Sequence, residues 1–78
     1  MKTTETQNDL WTLQRDEFGM LRSTLRTERG GATIIHNVFD DEEWFVIYAR
    51  NAEGNEIIRA RRHRLADAKQ LAEKRLVR

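Results

Sequence analysis

The stretch from Trp44 to Arg64, WFVIYARNAEGNEIIRARRHR, constrains the fold more than any other part of the chain. Residue character alternates with a period of two on both sides of Asn51-Ala52-Glu53-Gly54, which is the periodicity of strands. The intervening residues are turn formers, with asparagine first and glycine last, where a positive φ is tolerated. A β-hairpin is therefore expected. Phe45, Ile47, Ala49, Ile58 and Ala60 fall on one face, and Trp44, Val46, Tyr48, Arg50, Ile57, Arg59 and Arg61 on the other. Immediately downstream, Leu65, Ala68, Leu71, Ala72 and Leu76 recur at helical spacing and predict a helix over residues 65–77. Asp67 stands in its first turn and Lys74, Arg75 and Arg78 in its last, as the helix dipole prefers. The small alanines in its stripe allow a close approach to the apolar face of the hairpin.

The N-terminal half repeats part of this chemistry. Arg15-Asp16-x-x-Gly19 has the same shape as Arg50-Asn51-x-x-Gly54, and it is flanked by Leu10–Arg15 and Met20–Thr27. The matched turns favour a second hairpin. A helical reading of residues 9–28 stays open, because Leu10, Leu13, Phe18, Leu21 and Leu25 form a ragged stripe, although Gly19 interrupts it. Glu28-Arg29-Gly30-Gly31 is a further turn signal, and the β-branched, alternating Ala32–Phe39 reads as a strand. Asp40-Asp41-Glu42-Glu43 follows as an acidic connection that resists burial. The expected fold is α+β: an antiparallel β-meander of three to five strands with one C-terminal helix packed on one face. Residues 1–8 are expected to be a flexible tail and residues 9–78 a single small domain.

Composition narrows the chemistry. None of the 78 residues is cysteine, which excludes a disulfide framework and a thiolate zinc site. Nowhere is there an apolar run long enough to span a bilayer, and MKTTETQND lacks the basic-then-apolar pattern of a signal peptide, so a soluble, cytoplasmic protein with no membrane partner is expected. His36 and His63 have no histidine or cysteine at ligand spacing, and Asp40–Glu43 lacks the alternation and central glycine of a calcium loop. Gly30-Gly31 has no lysine after it and opens no helix, so it reads as a turn and not as a phosphate cradle. No catalytic residue, metal site or cofactor is expected, and the chain reads as a non-enzymatic binding module.

Charge gives the binding surface. Residues 1–43 carry five Lys/Arg against nine Asp/Glu, and residues 44–78 carry nine against four. The basic half concentrates arginine beside aromatic residues, at Trp44, Tyr48, Arg50, Arg59, Arg61, Arg62 and Arg64. Arginine forks match phosphate and guanine edges and stack on bases, so these residues are the candidates for contact with nucleic acid or a nucleoprotein. The same arginine stems can also serve only to cover apolar surface.

Residues 44–76, with the strand opening on Trp44, the glycine turn, the basic strand and the Ala-Lys helix, resemble the last strands and helix of AP2-type DNA-binding domains and of the N-terminal arm-binding domains of tyrosine integrases. The resemblance implies a sheet laid in the major groove, with Trp44, Arg50, Arg59 and Arg61 at the DNA-contacting positions. Ala68-Lys69-Gln70-Leu71-Ala72 also looks like the final helix of double-stranded-RNA-binding domains. From another class, the short cysteine-free chain with a mixed charged and aromatic sheet face resembles small phage proteins that block a host machine, such as anti-CRISPR proteins. That resemblance implies a host protein as partner, with Asp40, Asp41, Glu42 and Glu43 forming one part of the interface and the arginine strand another. A homodimer through the open face or an edge strand is compatible with either.

Overall fold

The computed structural model describes residues 10–77, and the tail expected over residues 1–8 lies outside them. Five strands follow one another: β1 (Thr12–Arg15), β2 (Leu21–Thr27), β3 (Gly30–Phe39), β4 (Glu42–Asn51) and β5 (Glu56–Arg62). They form one antiparallel sheet whose spatial order is the order in sequence, followed by a single helix, α1 (Leu65–Leu76). This is the expected α+β meander with a C-terminal helix. The segment left open between hairpin and helix is the hairpin β1–β2, with Thr12 opposite Thr24 and Arg15 opposite Leu21. No helix is long and apolar enough among the described residues to cross a membrane.

Turn chemistry explains much of the register. Asp16 and Asn51 start matching turns. In each, the first residue's carbonyl accepts from the glycine N–H (Gly19 or Gly54) at 2.9 Å. The side-chain oxygens then accept two further backbone N–H groups, from Phe18 and Met20 at Asp16 and from Glu53 and Asn55 at Asn51. Gly19 and Gly54 adopt φ of 83° and 90°, closing both loops as a type I turn with a left-handed last residue. The β3–β4 connection is tighter. Asp40 and Asp41 alone form it, at φ of 55° and 66°, while Glu42 and Glu43 already belong to β4. The acidic connection is thus half turn and half strand, because two residues with positive φ suffice to reverse a twisted hairpin.

One face of the sheet holds the core. Leu25, Ala32, Ile34, Ile47, Ala49 and Ile58 are buried there against Ala68, Ala72 and Leu76 of α1, with Phe45, Ala60, Leu65 and Leu71 at the margin. Alanines at the centre of both layers bring the helix close to the sheet. It lies over β3, β4 and β5. Trp11, just before β1, reaches across and donates its indole N–H to the Glu73 carboxylate at 2.7 Å, so the edge of the sheet is tied to the helix. A bulge between Ala49 and Arg50 pairs Arg50 with Glu56, and Ile57 packs half-buried against the core instead of standing out with its neighbours.

Candidate functional site

No described element covers the second face of the sheet. Register places its side chains in rows across the strands. Thr12, Thr24, Thr33, Tyr48 and Arg59 form one, and Gln14, Arg22, Ile35, Val46 and Arg61 the next. A third row holds Arg26, Gly31 and Arg50, and a fourth pairs Asn37 with Trp44. Because alternation sends every second residue to this face, β2, β4 and β5 together contribute Arg22, Arg26, Arg50, Arg59 and Arg61.

These arginines are held differently. Arg22 pairs with Asp16 at 3.2 Å and Arg59 with Glu56 at 3.3 Å; the Glu56 pair stands in the open, where such pairs are weak and exchange readily for another anion, whereas the Asp16 side chain is only 15% exposed. Arg50 donates to the Gly54 carbonyl at 3.1 Å, as Arg15 does to Gly19 at 2.8 Å, so the turn steadies the guanidinium without neutralising it. Arg61 lies 4.4 Å from the Trp44 ring centroid, a cation–π contact that leaves its charge without a carboxylate partner among the described residues. Arg26 has no carboxylate partner among the described residues. The Asp16 carboxyl is held below its ordinary value, chiefly by the Met20 N–H, then by the Phe18 N–H and by Arg22, against an opposing desolvation effect.

The aromatic residues divide in role. Trp44 is half-buried, with the His63 ring tilted by 32° against it at 3.8 Å between centroids and Arg61 also against it, so much of its ring surface is occupied. Tyr48 is 40% exposed, with only the distant Arg59 guanidinium near its ring, and is the aromatic available to a ligand.

Of the residues singled out from sequence, Trp44, Tyr48, Arg50, Arg59 and Arg61 share this face. Arg62 does not: it lies opposite Phe45 on the helix side and lines a hollow with Asp67, Gln70 and Lys74. Arg64 is the residue that precedes α1, exposed at the helix N-terminus. Asp40, Asp41, Glu42 and Glu43 gather at the far end of the β3–β4 hairpin. There Glu43 turns toward the helix side and meets His36 at 3.1 Å, while Glu42 stands opposite Phe39. Phe39 and Val38 beside this tip are exposed. Arg22 and Arg26 escaped the sequence reading, although LRSTLRT alternates arginine with apolar or small residues and carries the signal. Groups of acidic or histidine side chains able to hold a metal ion are absent among the described residues. Compared with known proteins, the chain matches no family model, no curated protein and no solved structure.

Proposed function

We propose that this protein is a small, non-enzymatic nucleic-acid-binding module that works in the cytoplasm through the uncovered face of its sheet. The observation that carries the reading is the convergence of Arg22, Arg26, Arg50, Arg59 and Arg61, from three strands, on one face that also presents Tyr48. An arginine array on a rigid sheet offers phosphate-binding forks at fixed spacing, and an accessible ring offers a base a stacking surface. The acidic tip bounds this surface. Phe39, with Glu42 opposite it on β4, lies eight residues along β3 from Gly31, about 27 Å at strand rise, so phosphate is drawn to one end of the face and repelled from the other.

Fluorescence anisotropy of labelled nucleic acid against salt concentration tests the reading. Arg26→Ala and Arg61→Ala should each weaken binding and each flatten the log–log salt slope by ~0.7–0.9, the contribution of one lost phosphate contact. Both variants binding like the wild type would remove this face from the interface.

A second reading draws on the hairpin tip, where the exposed Phe39 and Val38 stand beside Asp40, Asp41 and Glu42. An apolar patch rimmed by charge suits a protein partner, here a host protein that the chain inhibits. Under it, Phe39→Ser combined with Asp40→Lys should abolish capture of a defined host protein and leave nucleic-acid affinity no weaker. Unchanged capture would sink it. Self-association through the unpaired edges β1 and β5 is compatible with both readings.

A further inference from the structure

The row Arg26–Gly31–Arg50 has a gap in its middle. Gly31 puts no side chain on the open face, so the floor of the sheet drops between two arginines whose backbones are two strand spacings, about 10 Å, apart. The resulting cleft, about 380 Å³, has Thr24, Thr33 and Tyr48 along one side and the Asn51–Gly54 turn along the other. That turn fixes Arg50 through the Gly54 carbonyl, which occupies one N–H of the guanidinium and leaves the others for a ligand. A second hollow, about 300 Å³, lies on the far side of Arg26, lined by Leu10, Thr12, Gln14, Thr24 and Arg26 itself. The two hollows share Thr24 and Arg26 and form one path over β1 to β4.

The geometry points to a binding path for single-stranded nucleic acid, in which one phosphodiester sits over Gly31 between Arg26 and Arg50, its base stacks on Tyr48, and the chain continues past Arg26 into the second hollow. This deepens the proposed function and rests on it. Three features favour a single strand over a duplex. The cleft is recessed below the flanking side chains, so a narrow group enters it. The base that uses the Tyr48 ring must have a free face, and a paired base in a duplex has none. The repelling tip confines the favourable surface to a few nucleotides. Continuity past Arg26 favours a polymer over a free nucleotide.

The test is anisotropy with a labelled mixed-sequence single strand of DNA, the same strand as RNA, and the DNA duplex. Each is titrated with wild type, Tyr48→Leu and Gly31→Val, after circular dichroism has shown which variants fold. Wild type should bind the single strands at least tenfold more tightly than the duplex. Tyr48→Leu, an exposed change that removes the ring and keeps the apolar bulk, should weaken single-strand binding about 5- to 150-fold, the range of one lost stacking contact, and leave duplex binding unchanged. Gly31→Val fills the cleft and should act in the same direction. If it fails to fold, Tyr48→Leu decides alone. A duplex bound as tightly as the single strands, or Tyr48→Leu binding single strands like wild type, overturns this inference while the arginine face keeps its role. No binding to any of the three overturns both.

Discussion

Gly30 opens β3 at a φ of 141°, and a Cβ there would overlap the carbonyl oxygen of Arg50 on the neighbouring strand. Gly54 also has positive φ, but nothing stands near the position of its absent side chain. The two glycines therefore separate conformational strain from steric exclusion. Gly54→Ala should cost about 1–2 kcal/mol, the penalty of a left-handed residue. Gly30→Ala should cost ~3 kcal/mol or more, because β3 and β4 must also part. Urea unfolding midpoints check the order, and equal costs would mean that the close approach to Arg50 is not felt. In the sequence Gly30 reads only as a turn residue. That it abuts another strand depends on the β3–β4 pairing, which no local pattern displays. Gly31 is similar. Its turn-like neighbourhood is plain, but its place in a row between Arg26 and Arg50 exists only after three strands align.

At the scale of elements, the two Arg-[Asp/Asn]-x-x-Gly turns were legible because their hydrogen bonds are local and follow from residue type. Their comparison also yields a pH prediction. Asp16 ionises more readily in the folded chain than in the unfolded one, so its carboxylate stabilises the fold above the ordinary carboxylate pKa. That contribution is lost as pH falls through its lowered folded value. At the matching position Asn51 accepts the corresponding two N–H groups with an amide oxygen, at 3.0 and 2.9 Å. Asp16→Asn should therefore keep the turn but lose this titration. Thermal melts from neutral to strongly acidic solution should fall less steeply for the variant than for the wild type, and parallel curves would contradict the assignment. The strand β2 was less legible. Its arginines and leucines alternate clearly, yet the same leucines suited a ragged helix, and only pairing with β3 decides between them. The contact from Trp11 to Glu73 left no signal at all, since it joins residues 62 positions apart.

Across the whole molecule, the charge imbalance between the halves of the sequence does not map onto two opposite faces. Arg22 and Arg26 come from the acidic half and join the basic face, while the acids collect at a hairpin tip along the same sheet. Counting charge by sequence segment thus does not locate the basic face, which draws arginines from both halves. On α1 and on the hairpin β4–β5 the core was legible except at Ile57, because period two and period 3.6 each leave one apolar side, while the bulge beside Arg50 breaks the period where Ile57 turns to the core. Arg62 and Arg64 lie off the uncovered face because a dense basic run necessarily feeds both faces of a strand and then the start of the helix.

The order of strands in space repeats their order in the chain, and each is joined to the next by two to five residues. Ring closures of that size carry little entropy cost, and each completed hairpin leaves an edge ready for the following strand. The sheet can be assembled by sequential zippering from any of its turns, without threading or a long-distance search. For this chain, then, the hydrogen-bonded turns that set the register are also the places where assembly can begin, and variants that weaken them act on the route to the fold as well as on its depth.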